Sequence, residues 1–194
     1  SVRILQETGV VFESHEVIDI FKRKGCKIEG KTVFIPENII EQAIESSPNS
    51  FTHFARNDKH TIHVGHGQKD FAVSSTYGTV NIQDVDLGRR KGMMIDHINI
   101  TKLCHESEVV NVIGGVPIDV SDVEQDFAHL DLMYQTIKHT DKAIYSMPGT
   151  KKINDEVFAM IEMGFGGKDC FERGCVTAVP VCPLSPLKYD HMGC

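Results

Sequence analysis

Apolar positions change their period twice along this chain, dividing it into three stretches. Up to residue 50 they recur at helical spacing. Val17, Ile20 and Phe21 share one face of a helix that Ser14 caps and Gly25 stops, and Ile39, Ile40, Ala43 and Ile44 share a face of a second helix opened by Pro36. Lys31-Thr32-Val33-Phe34-Ile35 reads as a short strand between them, giving a small helical lead-in module. From 51 to 91 the pattern becomes short β segments, at 51–55, 61–64, 71–74 and 79–85, punctuated by Asn57-Asp58, Gly65-His66-Gly67 and Asp86-Leu87-Gly88. These predict a small antiparallel meander.

From Gly92 to Cys194 helices alternate with apolar runs. A helix over 93–106 precedes a run at 109–113. A helix over 122–138, with Val123, Phe127, Leu130, Tyr134 and Ile137 on one stripe, precedes a run at 143–146. A helix over 154–163, with Val157, Met160 and Ile161 inward, precedes a closing run from Val176 that breaks into a loop stiffened by Pro180, Pro183 and Pro186. Each interval between runs holds one strand, one crossover helix and two loops, so this stretch predicts successive right-handed βαβ units, with a strand inside 71–85 as their first member.

A dinucleotide fold should place GxGxxG after its first strand. Here Gly114-Gly115 is followed by Val116-Pro117, and Gly164-Phe165-Gly166-Gly167 follows a helix. The expected fold class is therefore α/β: the amino-terminal part of a (β/α)8 TIM-type barrel, preceded by the helical module and the β-meander. Parallel strands with open edges are unfavourable, which predicts either a longer protein or assembly with further chains, a homo-oligomer included.

Composition narrows the function classes. With 41% hydrophobic and 24% charged residues this is an ordinary globular chain, and a net charge of −7 disfavours nucleic acid, since the one basic run is Arg89-Arg90-Lys91. No apolar stretch approaches the roughly 20 residues of a membrane span, and the opening residues carry no signal-peptide core, so a cytoplasmic protein is expected. The six cysteines, Cys26, Cys104, Cys170, Cys175, Cys182 and Cys194, have no CxxC spacing, and free thiols are expected.

In a barrel the reacting groups come from the carboxyl ends of the strands. Those ends read Ser75, Thr76, Tyr77 and Gly78; Gly114, Gly115, Val116, Pro117 and Asp119; Ser146, Met147, Pro148 and Gly149; and finally 181–189. The set is poor in groups for proton transfer and holds neither a Ser-His-Asp arrangement nor a metal triad. His60, His63 and His66 recur every third residue, but strand alternation points the first two to opposite faces, so solvated turn residues are expected and no metal. Cys182 has no Lys, Arg or His nearby in sequence and reads as a packed thiol. Asp119 reads equally well as a substrate-orienting carboxylate and as part of a helix-opening loop with Ser121 and Asp122. His139-Thr140-Asp141-Lys142 precedes a strand and reads as a structural connection.

The opening Ile4-Leu5-Gln6-Glu7-Thr8-Gly9-Val10, the middle Asp126-Phe127-Ala128-His129-Leu130-Asp131 with Lys138-His139-Thr140-Asp141-Lys142, and the final Pro183-Leu184-Ser185-Pro186-Leu187 together resemble the trimethylamine methyltransferase family, in colinear order over essentially all 194 residues. The resemblance implies a barrel enzyme that moves a methyl group from a methylated amine, trimethylamine or glycine betaine, to the cobalt of a corrinoid (cobalamin) on a separate corrinoid-binding protein. Some members use pyrrolysine, at a position downstream of this chain; members are also more than twice as long, so this stretch alone is expected to be inactive. An ammonium pocket is lined by aromatics and carboxylates. The substrate-lining candidates are Tyr77, Asp119, Ser146, Ser185 and Tyr189, and Gly114, Gly115 and Pro148 are the corrinoid-facing candidates. No residue is assigned a catalytic role. The alternatives are a non-catalytic binding module, or a different barrel enzyme such as a lyase using a later Lys or Glu.

Overall fold

Gly9 sets the start of the first unit. It ends a single π-helical turn, Ile4–Thr8, at φ 75°. A Cβ there would stand 2.8 Å from Thr32 Cγ2 and 2.9 Å from the Val33 carbonyl oxygen, so only glycine lets the chain pass this close to its neighbour. The computed structural model describes residues 2–67, 71–177 and 183–190. They form two compact units, one from Ser1–Asn49 with Pro180–Cys194, the other from Ser50–Val179.

In the first unit β1 (Val10–Phe12) leads into α1 (His15–Arg23), whose first turn is closed by the Ser14 hydroxyl accepting from Val17 N at 3.4 Å. The hairpin β2 (Lys27–Glu29) and β3 (Thr32–Phe34) follows, then α2 (Glu37–Ser46). β1 pairs antiparallel with β3 on one side and parallel with a strand from the far end of the chain, Lys188–Tyr189, on the other. The expected helical module is thus a four-stranded sheet with two helices. Val10, Phe12, Cys26 and Val33 form its core, with Val17, Ile18, Phe21 and Ile39 packed on it. Ile20 and Ile44, expected inward, are exposed.

The second unit opens with the hairpin β4 (Ser50–His53) and β5 (Ile62–Gly65), joined through a 3₁₀ turn, and a separate hairpin, β6 (Asn81–Asp84) and β7 (Gly88–Lys91). The meander is therefore two independent ribbons. Between them Ser74 bridges Val112 in parallel, so this segment is the first member of the parallel series. Then come α3 (Met94–Glu106), β8 (Val112–Ile113), α4 (Ala128–His139), β9 (Ala143–Tyr145), α5 (Lys151–Phe165), a short α6 (Asp169–Arg173) and β10 (Val176–Thr177). The parallel sheet has the order β10-β9-β8, every neighbour separated by a helical crossover. The strand that completes the first unit's sheet is β11 (Lys188–Tyr189).

Alternation along these strands gives the sheet two different faces. Ile113 and Ile144 point into the helix layer, against Leu132, Met133, Val157 and Ile161. Val112 and Ala143 point the other way, with Tyr145, onto Ala55 and Ile62 of the β4–β5 ribbon. That ribbon is tied to the sheet by His53 Nε2 on the Ile144 carbonyl at 3.1 Å, Phe54 N on Gly174 O at 3.0 Å and Asn57 N on Asp141 O at 3.2 Å. Gly174 and Asp141 both precede strands, so the ribbon covers the second face from the strands' amino ends.

The stripe expected on α4 is displaced. Residues 121–127 are turns, the helix begins at Ala128, and Leu132, Met133 and Thr136 are the buried side chains, while Phe127 and Tyr134 are about half exposed. The described residues form a mixed α/β structure with small sheets and no closed barrel. Cys182 and most of the closing apolar run, 178–182, lie outside the described residues. Cys26, Cys104, Cys170 and Cys175 are free thiols.

Candidate functional site

Three strand-end loops of the second unit are drawn together. Ser75, buried, accepts from Gly114 N through its hydroxyl oxygen at 2.7 Å and donates to Thr76 O at 3.2 Å. Gly78 N donates to Val116 O at 2.8 Å, Thr79 Oγ1 donates to Pro117 O at 2.6 Å, and Asp119 N donates to Thr79 O at 2.7 Å. The loop after Ser74 therefore runs alongside the loop after β8 as an extension of the parallel pairing, with a further bridge between Thr79 and Ile118.

The glycine pair sits in the middle. A Cβ on Gly114 would lie 3.1 Å from Ser75 Oγ and Thr76 O and 3.3 Å from Tyr77 Cδ2; on Gly115 it would lie 2.8 Å from Ser146 O and 2.9 Å from Met147 Cγ. Both glycines are buried, and protein atoms occupy the space a side chain would take. They bring the loops together, which gives them a packing role in place of a surface open to a corrinoid. Of the expected site residues, the structure thus assembles Tyr77, Gly114, Gly115 and Ser146. Pro148 is exposed beside Ser146 and buried Met147.

Asp119 pairs with Thr79 through its backbone but lines a different cleft, and Ser185 and Tyr189 belong to the other unit. Asp119 is exposed and opens on a cleft of about 290 Å³ with Val80, Lys91, Ser121 and Gln125. Ser185, exposed, and Tyr189 belong to the first unit, where the Tyr189 ring stacks on Phe12 with centroids 5.3 Å apart and planes 6° from parallel. Tyr189 is thus a packing residue of that sheet. Ser75 stands among the strand-end residues expected from the sequence but not among the lining candidates; its bond to Gly114 N is what adds it to the cluster.

The assembled cluster contains one ionisable group. Tyr77 is 37% exposed, and partial burial pushes its hydroxyl up to about 12, which keeps it a neutral phenol with an accessible ring. Among the described residues no group of three His, Cys, Asp or Glu is placed to hold a metal. His60 stands 3.5 Å from Asp141, at the strands' amino ends, while His63 pairs with Thr52 Oγ1 at 2.9 Å. A cavity of about 480 Å³ at those amino ends, walled by Phe54, Arg56, Phe165, Cys170, Arg173 and Cys175, is also structural: Arg56 is engaged by the carbonyls of Ile137 and Thr140, which close the end of α4. Such a site can hold and orient a substrate and exclude water. Among the described residues its polar groups are hydroxyls and backbone amides.

Parallel strands joined in sequence by helical crossovers, with their strand-end loops drawn together, define a mixed α/β protein. The chain belongs to the trimethylamine methyltransferase (MTTB) family, whose model matches residues 1–194. It is 31% identical over 191 residues to a glycine betaine methyltransferase of Desulfitobacterium hafniense, covering 98% of this chain and 40% of that protein. It is 27% identical to a proline betaine:corrinoid methyltransferase of Eubacterium limosum (98% and 40% covered) and 26% identical to a trimethylamine methyltransferase of D. hafniense (97% and 38%). The chain thus spans about two fifths of the length of the curated relatives it matches. No helix among the described residues is long and apolar enough to cross a membrane.

Proposed function

We propose that this chain forms the amino-terminal part of a β/α-barrel methyltransferase that moves a methyl group from a methylated amine, of the betaine or trimethylamine type, to the cobalt of a corrinoid carried by a partner protein. The observation that carries this reading is the family match over the whole chain, and the strand-end loops, which hold hydroxyls and a neutral phenol, agree with it chemically. A corrinoid held by the partner would supply a two-electron cobalt(I) nucleophile to accept the methyl group from a quaternary or protonated amine, whose nitrogen would keep the C–N electron pair and leave as a neutral amine. No protein base or nucleophile is required, only alignment and exclusion of water.

In this reading the neutral ring of Tyr77 faces the substrate's ammonium and Ser146 lines the floor beside it. Ser75 and the glycine pair position the loops that carry them. Asp119, Ser185, Tyr189 and Pro148 are tested in the same series by alanine substitution. The rest of the barrel, with the sheet's second edge, comes from the remainder of the longer polypeptide. The test uses the full-length protein with cob(I)alamin and glycine betaine or trimethylamine, following methylcobalamin by absorbance. Tyr77→Leu should raise KM about tenfold with a smaller change in kcat, the size expected for one cation–π contact. Absence of methylcobalamin with every methylated amine overturns the reading.

A further inference from the structure

Tyr145 belongs to an apolar run that reads as a buried strand, yet the structure leaves it partly open. Val112, Ala143 and Tyr145 share the face of the parallel sheet that the β4–β5 ribbon covers; Val112 and Ala143 are buried there, and Tyr145, the last residue of β9, is not. The ribbon meets it from the strands' amino ends. Buried His53, held on the Ile144 carbonyl at 3.1 Å, stands with its ring centroid 6.4 Å from that of Tyr145 and its plane tilted by 39°. The phenol is supported on that side, and its open side lies toward the carboxyl ends, where the strand-end loops are drawn together.

β8 and β9 pair in parallel with Val112 beside Ala143 and Ile113 beside Ile144, so one step further Gly114 comes beside Tyr145. Gly114 lies two residues beyond Val112 and turns to the same face. A Cβ on it would meet Tyr77 Cδ2 at 3.3 Å, along with Ser75 Oγ and Thr76 O. The Tyr77 ring therefore lies against this face of Gly114, on the step that borders Tyr145, and the missing side chain is what allows two phenols to flank one position. An aromatic ring offers a negative face to a cation, and methyl groups on nitrogen spread the charge over a surface that needs no hydrogen-bond acceptor. Two rings on one face at the strand ends match that ligand.

We infer that Tyr145 is a second substrate-binding residue, which with Tyr77 forms a two-ring wall for a methylated ammonium. This rests on the functional reading above and gives the same site its other aromatic side. His53 and the ribbon hold the Tyr145 ring from below, and Gly114 keeps the space between the two phenols free of protein atoms.

The test is calorimetry on the full-length protein with glycine betaine and with its tert-butyl analogue, in which carbon replaces the charged nitrogen at unchanged shape. Tyr145→Leu should weaken glycine betaine about tenfold and the analogue less than about twofold, the size of one cation–π contact, while Tyr145→Phe stays within about twofold of the parent for both. Tyr145→Met gives the same reading should the leucine variant not fold. Equal losses for both ligands assign Tyr145 to packing on the ribbon, and an unchanged affinity for glycine betaine places it outside the pocket; either result overturns the inference. A parent that does not bind glycine betaine is titrated with trimethylammonium chloride alongside Tyr145→Leu and Tyr145→Phe, and binding of neither cation overturns the inference as well. Methylcobalamin formation, followed separately, keeps the two readings apart. Binding that depends on Tyr145 without methyl transfer refutes the reaction and keeps the ring pair; transfer with a KM that Tyr145→Leu leaves unchanged does the reverse.

Discussion

Where the first unit closes its sheet, Lys188 on β11 reaches Glu13 at 2.7 Å, Lys31 meets the same carboxylate, and Phe12 stacks on Tyr189. Where the second unit ties its helices and strands, the polar groups are buried and bonded to backbone. His97 Nε2 donates to Leu132 O at 3.1 Å, and the Lys142 ammonium donates to the carbonyls of Cys104, Ser107 and Val110 at 2.9, 2.5 and 2.7 Å. The first arrangement depends on charge at the surface, the second on the absence of water. Acid should therefore act on the two units through different groups and over different pH ranges.

The largest effect we expect is in the second unit's helix layer. Ile144 is fully buried between the sheet and the helices, and Ile144→Ala should cost about 4 kcal/mol, measured by urea unfolding of the full-length protein. A loss below 1 kcal/mol would show that the two faces of the sheet are not packed as described.

Next comes pH. Burial is the main cause that lowers His97 from its ordinary 6.5 to about 4, and its Nδ1 is buried with no hydrogen-bond partner, so a second proton would have no acceptor. The unfolded chain takes that proton first. Its contribution is therefore complete above pH 6.5 and is lost as the pH falls towards 4, on the order of 3 kcal/mol in all. Glu13 runs through a lower window. The Lys188 and Lys31 hydrogen bonds pull it from 4.5 to about 2, so its contribution persists above 4.5 and is lost as the pH falls through 2. Hydrogen exchange on acidification should expose α3 and α4 before β1 and β11; the reverse order would break the comparison.

Ser75→Ala should cost about 1 to 2 kcal/mol by leaving the buried Gly114 N–H unpaired, and it should raise KM for the amine more than it lowers stability. Unchanged kinetics would remove Ser75 from the positioning of the pocket. The smallest effect is Lys188→Ala, which should loosen β11 in low salt and hardly at all in high salt, because its partner lies at the surface.

The elements that sequence reading placed well have local signals. The Ser14 cap predicts α1, and Val157 and Ile161 at helical spacing do face the core. The α4 stripe holds at Val123 and Ile137, which pack on the core, and fails at Phe127 and Tyr134, because large aromatics at the right spacing resemble a core face whereas Tyr134 lies outside with Lys138 5.6 Å over its ring. Strands β1 and β11 have three and two residues, too few to show a period, and their pairing joins opposite ends of the chain. At the site, the strand-end positions were legible from the βαβ rhythm. The neighbours that make Gly114 and Gly115 glycines were not, since Ser146 is remote in sequence and the close approach exists only in three dimensions.

The parallel pairing of β1 with β11 bears on synthesis at the ribosome. β1 is translated before Ser50–Val179, and its partner emerges only after the whole of that stretch. Until then one edge of the first sheet has no strand of its own to pair with, and during translation it is open to any extended segment nearby. The second unit, whose described strands all pair with near neighbours in the chain, can form while that edge waits, so of these two units the one whose sheet begins earlier is completed later.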